Sequence, residues 1–369
     1  MLKQYRIRDY DFKLVLLVIS LTVIGIFAVG SAKESMQKTQ IAGFILGLFL
    51  MLVLSLFDYS VLLKLNWLFY IGNLVLLALV AVMGETKNGA QRWIELFGIE
   101  FQPSETAKIL LILFYAQFIM KHKERLNTFK NIGICCILIL PPLAFIYKQP
   151  NLSTTIVLAV VFCVIMFVGG LHWKIVSSVL AVIVPVFVIT LTIILQPDQS
   201  LIRGYQQTRI LAWLHPEEYA TTEAYQQLNS IMAIGSGQLE GKGYKTNVIS
   251  SVKNGNFISE PQTDFIFAVI GEEFGFVGTC TVIILVILIT LECLLVARRA
   301  KDLAGSIIAA GMAGLIGFQG FLNIGVTTGL LPNTGVTLPF VSYGLTSLLS
   351  LYIGIGFVLN VGLQCKSKY

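Results

Sequence analysis

Charge is scarce in this chain. Of its 369 residues only 12% are Asp, Glu, Lys or Arg, about half the share usual in soluble domains. That shortage, with 56% hydrophobic residues and a mean hydropathy of +0.81, excludes the two soluble domains that the length alone suggests. The formal charge of +6 is small and scattered through loops, which speaks for membrane topology and against nucleic-acid binding. Cysteine is equally uninformative: Cys135, Cys136, Cys163, Cys280, Cys293 and Cys365 all fall in apolar runs or the final tail. An exterior disulfide framework is thereby excluded, no metal-ligand spacing occurs among them, and they read as small apolar residues. A cleavable signal peptide is also missing, because residues 1–13 are charged and the apolar run behind them has no small-residue cleavage site. The first helix is expected to stay as an anchor.

What the chain has instead is repeated runs of about 20 apolar residues, the length that crosses a bilayer core. They lie near 12–31, 40–57, 66–83, 104–120, 132–147, 154–170, 174–196, 264–297, 304–329 and 341–362. The expected fold is an all-α polytopic membrane protein of ten transmembrane helices, a single domain over 1–369. Lys3, Arg6, Arg8 and Lys13 precede the first span, Lys121, Lys123, Arg125 and Lys130 follow the fourth, and Arg298, Arg299 and Lys301 follow the eighth. These clusters share one side, which must be cytoplasmic, so both termini lie inside. The loops 84–103, 197–263 and 330–340 then face outward. The large extracellular loop 197–263, between helices 7 and 8, mixes Tyr205, Trp213, Tyr219 and Tyr225 with Arg203 and Arg209, and short amphipathic helices are expected in it. Glycines at 311, 314, 317 and 320, and the Gly43–Gly47 pair, point to close helix packing.

Ionisable groups within spans are costly and therefore point to function. Glu105 and Lys108 open the fourth span three residues apart, on one face, as an ion pair that is either structural or part of a site. Asp264 has no basic residue within a helical turn, so it needs a partner from elsewhere, a bound cation, or water from an outward cavity. Pro261 suits the turn into the eighth helix, and Thr263 or Asp264 can cap it. Glu260 brings a second carboxylate to the same turn, which suits a general base or a divalent cation (Mg2+ or Mn2+) held by Asp264 and Glu260. No organic cofactor is expected. At least one of Glu272 and Glu273 is expected to pair with a Lys or Arg of a neighbouring helix. In the loop 84–103, Arg92 beside Trp93 reads either as an interface anchor or as a grip on phosphate and sugar.

These stretches carry a resemblance. Residues 88–94 (NGAQRWI), 102–108 (QPSETAK), 233–237 (AIGSG) with 241–243 (GKG), 263–267 (TDFIF) with 271–275 (GEEFG), and 337–344 (TLPFVSYG) run in order through most of the chain. In them the sequence resembles the SEDS family (shape, elongation, division and sporulation) of peptidoglycan polymerases, typified by RodA and FtsW. The resemblance implies a GT-C-like membrane glycosyltransferase that joins lipid II to a nascent glycan strand through β-1,4 bonds and releases undecaprenyl diphosphate. It also implies a bacterial plasma membrane with the active face outward, a class B penicillin-binding protein as partner, and other cell-wall synthesis proteins. By the same resemblance Asp264 is essential and Trp93 important, while Glu105 and Lys108 line the same cavity.

With that chemistry, Asp264, Glu105 and Lys108 are the catalytic candidates, and Arg92, Trp93, Arg209, Glu260 and Lys242 the substrate-binding ones. A carboxylate such as Asp264 can take a proton from a sugar hydroxyl, and Arg92, Lys108, Arg209 or a cation can stabilise the leaving diphosphate. Three stretches depart from the family pattern. Residues 149–154 read QPNLST where QPDxGT is common, Asn333 follows Pro332 where Val or Leu is usual, and 344–347 read GLTS for GGSS. No role is carried over to Asn151 or to 344–347. The form of 88–94 and the short tails favour the elongation or sporulation branch over division. The rival readings are a lipid II flippase or other transporter, a polysaccharide ligase of the O-antigen type, and a non-catalytic scaffold for a penicillin-binding protein.

Overall fold

The computed structural model describes residues 10–87, 90–96, 99–179, 181, 185, 192, 204–245 and 257–365. Several helices start where a short polar side chain takes an unpaired amide of the first turn. The Asp11 carboxylate accepts from Leu14 N and opens α1 (Phe12–Ala32). Extended Lys33 separates it from α2 (Glu34–Leu56). Asp58 caps α3 (Tyr59–Leu62), which passes through a tight turn into α4 (Asn66–Met83). Pro103 sits in the first turn of α5 (Pro103–Lys121). Thr128 caps α6 (Phe129–Lys148), and the Asn151 Oδ1 caps α7 (Leu152–Val168) by accepting from Thr154 N at 3.2 Å. Two short helices follow, α8 (Gly204–Leu214) and α9 (Tyr225–Ser236), in the region expected to hold amphipathic helices. The chain closes with α10 (Ile266–Arg299), α11 (Leu303–Thr327) and α12 (Leu345–Leu363).

Among the described residues, seven helical stretches are long and apolar enough to cross a membrane, with Tyr59–Met83 counted as one, and Leu152–Val168 is a shorter apolar helix. Of the expected span 174–196, residues 174–179 are helical and nearly all the rest lies outside the described residues. The eighth span begins at Ile266, two residues after its expected start, so Asp264 stands ahead of the helix.

The helical polytopic fold is as expected, with one small sheet that the all-α reading did not include. The loop after α4 carries a three-stranded antiparallel sheet, β1 (Glu85–Lys87), β2 (Ala90–Leu96) and β3 (Ile99–Phe101), with Lys87 opposite Ala90 and Ile94 opposite Phe101. Strands this short show little alternation in sequence. The signal that was there is Asn88-Gly89 between the first two, a pair suited to a two-residue hairpin turn.

Helix α11 is the centre of the bundle, packed on α5, α7, α10 and α12. Its glycines meet three neighbours in turn: a Cβ at Gly311 would stand 3.0 Å from Ile112, at Gly314 3.2 Å from Val164, and at Gly320 2.9 Å from Val286. Gly43 and Gly47 likewise admit Leu345 and Tyr352 of α12. Both sets are packing features, as the spacing suggested.

Helix α10 is broken at Gly275, whose φ of 63° and ψ of −158° are open to glycine and strained for other residues. Around the break the helix exchanges its own hydrogen bonds for bonds to the loop behind α9. Lys242 N and Gly243 N donate to the carbonyls of Glu272 and Glu273, while Phe276 N and Val277 N donate to those of Gln238 and Leu239. The backbones touch, and a Cβ on Gly275 would be 2.4 Å from Gly241 N. The two glycine-rich motifs, 237–243 and 271–275, are thus one joint.

The bundle has two chemically distinct ends. At one, the basic cluster Arg298–Lys301 meets the start of α3: Tyr59 Oη donates to Asp302 at 2.9 Å and Lys301 Nζ to Ser60 at 3.1 Å. At the other, where α1 ends and α2 begins, Ser31 Oγ donates to Glu273 and Gln40 Nε2 to the Ser342 carbonyl. The motif residues gather at this second end.

Candidate active site

The segment 262–264 carries no regular structure, and its three carbonyls are each taken by a different donor. Tyr343 N donates to Gln262 O at 2.9 Å, Ser342 Oγ to Thr263 O at 2.6 Å, and Asn323 Nδ2 to Asp264 O at 2.7 Å. Ser342 Oγ also accepts from Leu338 N at 2.7 Å. The turn 337–344 and α11 therefore hold the backbone that carries Asp264. Its carboxylate lies against Gly335, where an added Cβ would be 3.2 Å from Oδ2.

Burial raises the Asp264 carboxyl to about 6, and it would stand higher without Arg92 and Arg209, whose charges favour the ionised form; Glu260 pushes the other way. The partner from elsewhere that the sequence required is thus a pair of guanidiniums. Arg92 comes from β2, where its Nε donates to Gln149 O at 3.1 Å and an Nη to Pro150 O at the α6–α7 junction. Arg209 comes from α8, and its Nη1 reaches the Asn333 carbonyl at 3.4 Å. Arg92, Arg209, Glu260 and Asp264 are therefore brought together. Trp93 follows Arg92 on β2, half-buried and paired with Glu85, at a bulge in which Arg92 is the extra residue.

Glu105 and Lys108 form their ion pair at 2.9 Å, both side chains more than nine-tenths buried. Lys108 Nζ also donates to Gln319 Oε1 at 2.8 Å, and the Gln319 amide donates to Thr337 through its carbonyl (3.0 Å) and hydroxyl (3.1 Å). All of these Lys108 contacts are to protein groups. Lys242 is set apart from Asp264 by its own partner, Glu272, at 2.8 Å beside the Gly275 break. Glu272 thus has a basic partner, supplied by the loop behind α9 and not by a neighbouring helix as expected.

The departures from the family pattern are put to use. Besides the Asn151 cap, Ser153 Oγ donates to the Thr334 carbonyl, and Thr346 Oγ1 accepts from Gln102 N and donates to Glu100 O, tying β3 and α5 to α12. Gln319, Asn323 and Gly335 were not singled out from sequence. The two amides are neutral, and a search for charge in the spans passes over them; their spacing of four along an otherwise apolar α11 was the available signal.

Among the described residues no three or more His, Cys, Asp or Glu side chains converge as a metal site. Asp264 and Glu260 bring two carboxylates to this place, with the charges of Arg92 and Arg209 acting on the same group. The residues present make a site for an anion beside a carboxylate.

Comparison with known proteins agrees with this arrangement. The FtsW/RodA/SpoVE cell cycle protein family model matches residues 10–367. The peptidoglycan glycosyltransferase MrdB of Escherichia coli is 35% identical over 354 residues, 95% of this chain and 93% of the relative. The probable peptidoglycan glycosyltransferase FtsW of Geobacter metallireducens is 32% identical, covering 98% and 96%. Among solved structures, one describing the coordination of polymerization and crosslinking by a peptidoglycan synthase complex superposes with a TM-score of 0.77 at 31% identity, over 96% and 97% of the two chains. The crystal structure of Thermus thermophilus rod shape determining protein RodA gives 0.70 at 29%, over 96% of each.

Proposed function

The chain belongs to the FtsW/RodA/SpoVE family and is a multi-pass membrane peptidoglycan glycosyltransferase, and from that premise we propose that it polymerises lipid II at Asp264. The observation that carries this reading is the placement of one carboxylate in the joint field of Arg92 and Arg209 at the motif end of the bundle. A sugar hydroxyl is a weak nucleophile. Asp264 accepts its proton as the hydroxyl oxygen bonds to the anomeric carbon, and the bond from that carbon to the diphosphate oxygen breaks. The electron pair leaves with the undecaprenyl diphosphate, whose charge Arg92 and Arg209 stabilise.

The remaining groups take supporting parts in the same proposal. Lys108 and Glu105 hold Thr337 through Gln319 and so fix one wall of the site. Trp93, beside Arg92, offers a ring for stacking on a sugar. Glu260 keeps the Asp264 proton affinity high enough for a base. Lys242 serves by holding the Gly275 joint. A divalent cation would arrive with the substrate, since Mg2+ is usually bound by one or two carboxylates together with phosphate oxygens.

The topology proposed with it is ten spans in the bacterial plasma membrane, both termini cytoplasmic and the motif end outward, because the basic clusters lie at the opposite end. The partner proposed is a class B penicillin-binding protein, in line with the synthase complex that this chain superposes on. The test is polymerisation of purified lipid II, with and without that partner, by the native chain and by Asp264→Ala checked for folding by its melting curve. Polymer from the native chain and none from the folded variant is the expected result. Equal polymer from both removes Asp264 from the chemistry, and lipid II flipping with no polymer under any condition identifies a transporter.

A further inference from the structure

Helix α10 does not begin with a regular turn. Ala268 N donates to Phe265 O at 2.9 Å, a three-residue step, which leaves the Asp264 carbonyl outside the helical ladder. Asn323 takes that carbonyl at 2.7 Å, and the same Nδ2 donates its second proton to Val336 O at 2.6 Å. The two carbonyls settle how the amide is turned, because the reverse orientation would set oxygen against oxygen twice. Asn323 is buried, and its Oδ1 has no hydrogen-bond partner among the described residues. Packing alone would favour an apolar residue over an amide with half its capacity unmet.

Val336 directly follows Gly335, the residue that the Asp264 carboxylate rests against. One nitrogen on α11 therefore holds both the backbone that carries the carboxylate and the residue next to the glycine that the carboxylate lies against. Resting on the reading of Asp264 as the base, we infer that Asn323 is a positioning residue for glycosyl transfer, fixing the carboxylate in the field of its two arginines without itself touching substrate. The charged groups facing Asp264 are Arg92 from β2, Arg209 from α8 and Glu260 from its own segment; α11 and the turn 332–344 bring none.

The test measures kcat and KM for lipid II against pH, per folded molecule, in Asn323→Asp, Asn323→Ala and Asn323→Ser beside the native chain and Asp264→Ala. A carboxylate released from its seat predicts a kcat lower by on the order of 10- to 100-fold with KM within about twofold. It also predicts an acid limb displaced by about half a pH unit or more, because the distances to Arg92 and Arg209 change. The serine, with one short donor, falls between native and alanine and carries the test if the other two fail to fold. Native kcat and an unmoved acid limb in folded Asn323 variants, with Asp264→Ala inactive, overturn the inference. So does lower activity that follows melting temperature alone with the limb in place. Native activity in Asp264→Ala is a different result, the failure of the Asp264 reading itself.

Discussion

Lys108 Nζ and Gln319 Oε1 are 2.8 Å apart, which extends a buried ion pair on α5 across to α11 and on to Thr337. Removing one partner strands a charge in the bundle. Glu105→Ala should destabilise the protein by about 3–5 kcal/mol, measured by denaturant or thermal unfolding in detergent, whereas the double replacement Glu105→Leu with Lys108→Met should come close to native stability. Native-like stability in Glu105→Ala would show that the pair is not a structural brace.

The Gly275 joint makes a steric prediction. Gly275→Ala puts a methyl within 2.6 Å of the Leu239 carbonyl oxygen and into a backbone conformation that side chains avoid, so a loss of about 2–5 kcal/mol is expected. Gly72→Ala, with nothing within 4 Å of its Cβ in the middle of α4, should be neutral or stabilising by up to about 1 kcal/mol. The difference in melting temperature between the two variants is the readout.

Asn151 caps α7 as an aspartate would, through a side-chain oxygen on Thr154 N. Asn151→Ala should cost about 1 kcal/mol, and Asn151→Asp, which restores the family's carboxylate at a helix N-terminus, should be neutral or mildly stabilising. A destabilised Asp variant would mean that the cost of burying a carboxylate at this position outweighs its gain as a cap.

Asp264 is held at a cost. Its carboxyl, raised by burial from 3.8 to about 6, binds a proton more tightly in the folded than in the unfolded chain. The penalty for ionisation is therefore present in full above about pH 6 and is relieved as pH falls towards 4, about 3 kcal/mol at most. Asp264→Asn should melt higher than the native chain at neutral pH, with the difference shrinking on acidification, while being inactive. A lower melting point at pH 7 would contradict the burial account.

The helices were legible because a bilayer asks for about 20 apolar residues whatever their identity, and the ends were fixed by side chains such as Asp11, Thr128 and Asn151 that the sequence displays. The Glu105–Lys108 pair was legible because its spacing is local. The partners of Asp264 were harder, since Arg92 and Arg209 come from a strand and a helix far along the chain and only the fold brings them together. The Gly275 break was hidden for a similar reason: nothing in 271–275 shows that its lost hydrogen bonds are made good by 238–243. Lys242 and Glu272 are thirty residues apart, so their ion pair is not visible until the joint is formed.

The central claim, that Asp264 works as an ionised base tuned by its arginines, is tested most directly by the pH dependence of lipid II polymerisation in the native chain and in Arg92→Gln. The account predicts an acid limb with an apparent pKa of about 6 in the native chain. It predicts a limb at higher pH in the variant, because the guanidinium that favours the carboxylate is gone. A rate with no acid limb between about pH 4.5 and 7.5, or a limb that stays in place without Arg92, would contradict it.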